Sequence, residues 1–199
     1  MFPILGILLG ADADLIGALG YIGPSVGFGC DSVVQYEIVL ANGSIATANK
    51  SKNSDLWMAL KGGGSNFGIV THLVYSTTKI GQIWAGNSAY VASSVQSEIS
   101  AFYNFTANPK YDPKADIMMT YHYTADGGIQ IANGYAYAEP IVNPPAFNEF
   151  YPIPGQLGNL TSITNIADFS ITQEATSPDG FQYVSRPSCL PRCSFLTRL

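Results

Sequence analysis

The stretch Asp55-Leu-Trp-Met-Ala-Leu-Lys-Gly-Gly-Gly-Ser-Asn-Phe-Gly-Ile-Val-Thr71 joins a helical pattern, a run of glycines and an apolar strand pattern. Apolar residues recur at helical spacing from Leu56 to Leu60, and Lys61-Gly62 is a typical helix end. The apolar pair Ile69-Val70 predicts a strand that returns to a sheet. This helix, glycine turn and strand are expected to belong to an α+β fold.

The glycines Gly62, Gly63 and Gly64, with Gly68 just before the strand, allow two interpretations. Glycine has no side chain and adopts positive φ easily, so this backbone can closely approach another backbone or a large flat cofactor. Alternatively, Gly62 is the ordinary residue that follows a helix, and the next two glycines only shape a surface turn.

A β-hairpin is predicted immediately before this stretch. Residues Val33–Ala41 are rich in β-branched and aromatic side chains, and Asn42-Gly43 favours a two-residue type I′ turn. Alternation along the first strand predicts four core-facing residues: Val34, Tyr36, Ile38 and Leu40. Asn53 or Ser54 is expected to cap the following helix by accepting a hydrogen bond from a free backbone N–H.

A second region is predicted beyond a linker near Thr77–Gly86. Its first predicted element is an amphipathic helix, Ser94–Phe105. The predicted inward positions of this helix are Val95, Ile99, Phe102 and Tyr103. Apolar runs at Ile117–Tyr123 and Ile129–Tyr137 flank Asp126-Gly127-Gly128, and this pattern predicts a second hairpin.

Tyrosines mark the second hairpin. Tyr121 and Tyr123 share one face of their strand, and Tyr135 and Tyr137 share one face of theirs. Tyrosines can line a flat binding site and direct a substrate with their hydroxyl groups. Sheet faces that pack on a helix use the same residues, and this packing interpretation is favoured. No catalytic base is assigned from the sequence, although His122 lies among these tyrosines.

Composition limits the possible partners. The chain has 199 residues and a formal net charge of −5, without a cluster of Lys and Arg, so no nucleic-acid partner is expected. The apolar segment Met1–Ala11 is too short to span a bilayer, so no membrane partner is expected; it fits a signal peptide or a buried strand. His72, His122 and the cysteines have no metal-ligand spacing, so no metal is expected.

Four Asn-X-Ser/Thr triplets favour the secretory pathway. They begin at Asn42, Asn49, Asn104 and Asn159. Each is a potential acceptor of an N-linked glycan, so a secreted glycoprotein is expected. Cys30 is expected in the core, because cysteine is among the most frequently buried residues.

The segments on both sides of Asp55–Thr71 extend the pattern. Upstream lies Gly17-Ala-Leu-Gly20-Tyr-Ile-Gly-Pro24-Ser-Val-Gly27-Phe-Gly-Cys30-Asp31-Ser-Val-Val34; downstream lie Pro145–Phe150 and Thr161–Ile163. Together they resemble the end of the FAD-binding PCMH-type domain of the vanillyl-alcohol oxidase superfamily, in its berberine bridge enzyme-like branch. The downstream segments resemble the helix and strand of the substrate domain in fungal members. The resemblance covers roughly residues 17 to 170.

The resemblance implies an FAD cofactor, a small organic or carbohydrate substrate, and molecular oxygen as the electron acceptor. It places Gly17, Gly20 and Tyr21 by the ribose and pyrophosphate. It places Gly68, Ile69 and Val70 by the adenine. It also implies that residues 1–80 are the C-terminal part of the FAD-binding domain and 81–170 a partial substrate domain, an antiparallel sheet with helices on one face. Residues 171–199 have no clear pattern and are expected to form an irregular tail.

The chain departs from the family pattern in four ways. Ala18 stands where the family usually has glycine, and Ser32 where it usually has asparagine. The family's Arg-, Gly- and His-rich pyrophosphate loop has no counterpart before Gly17, and its final Tyr/Asn motif lies beyond this length. The chain is therefore expected to be a fragment of an FAD-linked oxidoreductase that is inactive alone. The alternative is a secreted, non-catalytic α+β module that has lost flavin binding.

Overall fold

The computed structural model describes residues 20–124 and 128–174. Four α-helices are present in these ranges: α1 (Gly23–Val26), α2 (Ser54–Leu60), α3 (Val95–Ala107) and α4 (Ile166–Glu174). The strands are β1 (Val33–Val39), β2 (Ile45–Asn49), β3 (Ile69–Tyr75), β4 (Ile83–Val91), β5 (Ala115–Thr124), β6 (Gly128–Tyr137), β7 (Gln156–Asn159) and β8 (Ser162–Thr164). They form two antiparallel sheets, so the predicted α+β class is confirmed. No helix in the described ranges is long and apolar enough to cross a membrane.

The first sheet has the strand order β2-β1-β3. Val33, Tyr36 and Ile38 of β1 are fully buried, and together with Leu60 of α2 they form its core. The predicted inward position of Val34 is wrong, because the register of β1 against β3 shifts between Val33 and Gln35 and turns Val34 outward. A bulge of this kind reverses the alternation on which the prediction depended.

Two further local predictions for this sheet are wrong: the type of the β1–β2 turn and the side-chain cap of α2. In the β1–β2 turn, Gly43 has positive φ but Asn42 does not, whereas a type I′ turn requires both. Asn53 precedes α2 in a left-handed conformation with no side-chain cap. Its side-chain amide instead donates a hydrogen bond to the Thr47 carbonyl oxygen at 2.9 Å. This bond ties the start of α2 to β2.

The second sheet has the order β5-β6-β4-β7, with β8 also pairing with β4. β4 is therefore hydrogen-bonded on both edges, to β6 along one and to β7 and β8 along the other. The prediction of a linker at Thr77–Gly86 is wrong in its second half, which contains the start of β4. Small and polar residues from Ala85 to Ala89 have low strand propensity, so only tertiary pairing makes this segment a strand.

Gly86 marks a close crossing within this sheet. Its φ is +153°, and a Cβ at this position would collide with the Leu160 carbonyl oxygen and the Thr161 Cα. The turn between β7 and β8 therefore passes directly over Gly86. Only glycine leaves room for that approach.

Helix α3 covers one face of the second sheet. Val95 and Phe102 are partly buried as predicted, but Ile99 and Tyr103 are exposed, which corrects the predicted stripe. The fully or nearly buried residues are instead Glu98 and Ala101. The inward face follows positions 95, 98, 101, 102 and 105, and a charged residue at its centre is not expected from hydrophobic periodicity.

Glu98 is held under α3 by a buried polar contact. The Asn133 side-chain amide of β6 donates to Glu98 Oε2 at 2.7 Å and lies 3.1 Å from the Tyr135 hydroxyl. Burial raises the pKa of Glu98, and the hydrogen bond from Asn133 opposes this only in part. Among the described residues, Glu98 Oε1 has no hydrogen-bond partner, which suits a protonated acid better than a carboxylate.

The tyrosines of the second hairpin lie on this same face. Tyr135 and Tyr137 belong to the core under α3, with Tyr135 in contact with Phe147 at a ring-centroid distance of 5.1 Å. The packing interpretation is confirmed for these two residues. Tyr121 and Tyr123 are exposed farther along β5, whereas His122 points to the opposite face, because neighbouring residues alternate along a strand.

We predict that replacing Glu98→Gln flattens the pH dependence of stability. In the unfolded chain Glu98 ionises near its ordinary pKa of about 4.3. The folded state holds the proton to higher pH, so the stabilisation is complete below the unfolded pKa and is lost as pH rises through the folded pKa. The melting temperature of the wild type should therefore fall more between pH 4 and pH 8 than that of the variant. Glu149→Gln, at an exposed site, is the control; an equal fall in all three proteins would contradict a buried neutral Glu98.

Candidate cofactor and ligand site

Two of the predicted cofactor residues, Gly20 and Tyr21, lie beside the second sheet. The Tyr21 ring contacts Phe169 of α4 at a centroid distance of 4.7 Å. It packs with Ile83 and Ala136 on the face opposite α3. The third residue of this group, Gly17, lies outside the described residues.

The segment Gly20–Phe28 and strand β5 enclose a cavity of about 680 Å³. It is lined by Gly20, Tyr21, Gly23, Pro24, Gly27, Phe28, Phe102, Asp116, Ile117, Met118 and Met119. The Ser25 hydroxyl donates to the Pro113 carbonyl oxygen at 2.5 Å and holds the segment against the approach to β5. Behind the segment, the Phe28 N–H donates to Asp31 Oδ2 at 3.0 Å. The volume is within the range of small-molecule sites.

Asp116 supplies the single carboxyl group of this lining. Burial raises the pKa of Asp116 to about 6, and a hydrogen bond from the Ile117 backbone opposes that shift. Burial also raises the pKa of Tyr21 to about 12, and the charge of Asp116 adds to this shift. The cavity therefore contains an acid that titrates near neutrality beside a phenol that stays protonated. Asp116 is not among the predicted site residues; its only signal in the sequence is a lone acid in the otherwise apolar run Ala115–Met119.

The other predicted group, Gly68, Ile69 and Val70, lies where β3 begins. Gly68 has a φ of +144°, and a Cβ there would collide with the Val39 carbonyl oxygen of β1. The approach of a neighbouring backbone is thus sufficient to require glycine. Ile69 is 72% exposed, and Val70 is partly buried against the first core.

The glycines before this group leave an open surface. Helix α2 ends at Leu60, Lys61 is its C-cap, and Gly62 follows with positive φ. The interpretation of Gly62 as the ordinary residue that follows a helix is therefore confirmed. A Cβ at Gly62 or Gly64 would meet no atom within 4 Å. Phe67, 40% exposed, and Ile69 stand beside this open backbone. A flat apolar ring, such as adenine, fits a surface of this kind.

The two predicted groups do not share one pocket. Gly20 and Tyr21 line the cavity beside β5, whereas Gly68, Ile69 and Val70 lie where β3 begins and are not part of the cavity lining.

The remaining polar clusters offer no metal site. Across residues 20–124 and 128–174, no group of three His, Cys, Asp or Glu side chains could hold a metal ion. His72 Nδ1 lies 2.8 Å from Glu37 Oε1 on the exposed face of the first sheet, and the Thr71 hydroxyl donates to the same oxygen at 2.7 Å. His122 Nε2 lies 3.0 Å from the Thr120 hydroxyl oxygen. Cys30 is buried, as expected.

Sequence comparison connects the chain to fungal proteins. It is 35% identical over 163 residues to oligopeptidase PhomG′ of Diaporthe leptostromiformis, covering 81% of this chain and 13% of that protein. It is 36% identical to the bifunctional solanapyrone synthase of Alternaria solani, covering 73% and 28%. It is 38% identical to the FAD-dependent monooxygenase drtC of Aspergillus calidoustus, covering 64% and 24%. The chain thus spans less than a third of each relative. No protein-family model matches it.

Solved structures share its fold at low sequence identity. The 6-hydroxy-D-nicotine oxidase of Arthrobacter nicotinovorans aligns with a TM-score of 0.74 at 14% identity, covering 89% of this chain and 40% of that chain. The berberine bridge enzyme-like protein 1 of Physcomitrella patens aligns with 0.74 at 20%, covering 87% and 38%. The carbohydrate oxidase of Microdochium nivale aligns with 0.68 at 24%, covering 86% and 37%. At these identities the likeness shows the fold alone.

The fold is therefore that of part of a flavin-linked oxidase of the berberine bridge enzyme-like type. The chain is a homologue of FAD-dependent oxidoreductases, and the predicted resemblance is confirmed. The predicted cofactor, FAD, is the one named in the FAD-dependent relatives. The peptidase name belongs to a protein of which this chain matches 13%, so it carries no inference about this segment.

We predict that Gly68→Ala destabilises the protein by about 2 kcal/mol or more, because the strained φ and the collision with Val39 act together. Gly64→Ala is the matched control. Gly64 also has positive φ, +61°, but has open space around it, so the cost should be about 1 kcal/mol. Chemical denaturation of the three proteins measures the difference. Equal losses in the two variants would show that β1 does not confine Gly68.

Proposed function

We propose that this chain is part of an FAD-dependent oxidoreductase that oxidises a small organic molecule or carbohydrate. When bound, the flavin supplies the chemistry: it accepts a hydride from the substrate and passes the electrons to molecular oxygen. In this proposal, residues 1–80 belong to the FAD-binding domain and 81–170 to the substrate domain. Sequence similarity to FAD-dependent relatives supports the proposal.

The observation that carries the proposal is the open apolar surface between α2 and β3. Phe67 and Ile69 are exposed beside glycines whose outer side is free. Exposed apolar groups of this size gain free energy when a ring covers them. We infer that Gly68, Ile69 and Val70 meet the adenine end of FAD, with Gly68 fixing the turn against β1.

The same proposal assigns Gly17, Gly20 and Tyr21 to the ribose and pyrophosphate. Glycine backbone amides can bind phosphate oxygens without a charged side chain. The cavity itself suits the pyrophosphate poorly, because its lining contains Asp116 and neither Lys nor Arg. We therefore infer that the phosphates lie outside the cavity, against the backbone of Gly20 and Tyr21 at its border, and that the cavity is left for the substrate. The net charge of −5 supports a small-molecule partner over nucleic acid.

We predict that the chain alone binds FAD weakly and produces no peroxide, because glycine amides and apolar contacts only partly offset the desolvation of the pyrophosphate. Titration of FAD and AMP should give weak, non-saturating shifts of the Gly62–Val70 amides in ¹H–¹⁵N spectra. Ile69→Asp should abolish these shifts, since it places a charge on the apolar surface. Met58→Asp, at an exposed apolar site on α2, should leave them unchanged.

Two outcomes of this titration would contradict the assignment. Tight, saturable quenching of flavin fluorescence would show that the chain needs no further segment to hold FAD. The absence of any shift at Gly62–Val70 would instead favour the alternative, a non-catalytic α+β module without a flavin site.

We also propose that the protein passes through the secretory pathway and carries N-linked glycans. Asn42 and Asn159 are exposed. The side-chain oxygen of each accepts a hydrogen bond, at 2.7 Å, from the hydroxyl of the Ser or Thr two residues later. No hydrogen bond within the described residues engages their amide nitrogens. In contrast, the side-chain amide of Asn49 donates to Gln35 at 3.0 Å and that of Asn104 donates to Glu149 at 2.7 Å.

After expression in a secretory host, we predict higher glycan occupancy at Asn42 and Asn159 than at Asn49 and Asn104, because their amide nitrogens are free. Enzymatic deglycosylation in heavy-oxygen water, followed by mass spectrometry, marks each formerly occupied Asn. No glycan at any site would reject the secretory proposal. Full occupancy of Asn49 would reject the role assigned to the free amide.

A further inference from the structure

We propose that the cavity between Gly20–Phe28 and β5 binds a small organic cation, an apolar body with one protonated amine directed at Asp116. Binding of this cation is a property of the chain itself and is separate from the proposed binding of FAD. The cation would be the substrate only if the proposed oxidoreductase function also holds. The two are tested separately, because the binding experiment contains no flavin.

The cavity contains a negative charge that no basic side chain balances. Asp116 is half-buried in the cavity wall, and no Lys, Arg or His lines the cavity. Among the described residues, the ion pairs are Glu37 with His72 and Glu139 with Lys114. Lys114, two residues before Asp116, is thus already engaged. A partly desolvated carboxylate without a counter-ion gains most from a ligand that brings one.

The walls of the cavity are mostly apolar. Apart from Asp116 and Tyr21, the side chains of the lining are apolar, and they include aromatic rings and thioethers from Phe28, Phe102, Met118 and Met119. Phe28 is 54% exposed and Met118 48% exposed. These flat and polarizable groups suit an apolar, preferably aromatic, ligand body. A sugar would leave most of its hydroxyl groups without hydrogen-bond partners there.

Tyr21 lies beside Asp116 in the cavity lining. Its phenol is neutral at neutral pH, as an ordinary tyrosine is, and burial together with the Asp116 charge raises its pKa further, to about 12. The phenol is thus a neutral polar group beside the acid, and it adds no competing charge. Asp31, an acid behind the segment and outside the cavity lining, accepts a hydrogen bond from the Phe28 N–H. The negative potential inside the cavity therefore originates mainly from Asp116.

The test compares 2-phenylethylamine with 2-phenylethanol, which has nearly the same shape but no charge. Calorimetric titration of the flavin-free chain at pH 8 should show the amine binding about tenfold or more tightly, as for a charge-assisted hydrogen bond. The Gly20–Phe28 and Asp116–Met119 amide signals should shift in ¹H–¹⁵N spectra. The preference for the amine should fall at pH 5, where Asp116 takes up a proton while Tyr21 stays neutral.

Asp116→Asn should reduce the preference for the amine to about twofold or less, because it keeps the shape and removes the charge. Asp55→Asn, an exposed acid on α2, makes the same charge change elsewhere and should keep the preference. The wild-type comparison of amine and alcohol remains decisive even if a variant fails to fold. Equal binding of the two ligands, or shifts confined to amides outside the cavity, would overturn the proposal.

Discussion

Hydrogen bonding along both edges of β4 is the constraint on which the second sheet depends. β6 occupies one edge, and β7 and β8 divide the other. Because β4 is central, the side chains of Trp84 and Tyr90 reach the core under α3. Ile83 and Ala85 point to the other face, where Tyr21 and Phe169 pack. The cores on both faces of this sheet, and through Tyr21 the wall of the cavity, therefore depend on a strand whose middle residues, Ala85 to Ala89, have low strand propensity.

The features that sequence reasoning predicted have strong local signals. The first hairpin, α2, β3 and the β5–β6 hairpin all follow from propensity, periodicity and turn residues. β4 has no such signal, because Gly86, Asn87 and Ser88 are strand residues only through pairing with distant segments. The inward stripe of α3 was wrong for a related reason. Its centre is Glu98, whose burial depends on a hydrogen bond from Asn133, distant in sequence.

The candidate site shows the same division between local pattern and distant contact. The glycine-rich stretch and its neighbours led to the flavoprotein resemblance, and the relatives and fold agree with it. The sequence does not show why residue 68 must be glycine, because the cause is the close approach of the Val39 carbonyl oxygen, which belongs to a distant segment. Asp116 was also missed. A lone acid in a strand is unremarkable until the Gly20–Phe28 segment is found beside it.

The crossing at Gly86 also shapes the outer border of the second sheet. Because the turn at Leu160–Thr161 lies on the backbone of Gly86, the partner of β4 along that edge is broken into two short strands. A stepped border offers no continuous row of N–H and C=O groups to another polypeptide. Within the described residues, the long regular border of this sheet is β5, whose outer side pairs with no strand. The Gly20–Phe28 segment lies against its first half, so the part of this border that is open to strand addition from another chain is Thr120–Thr124.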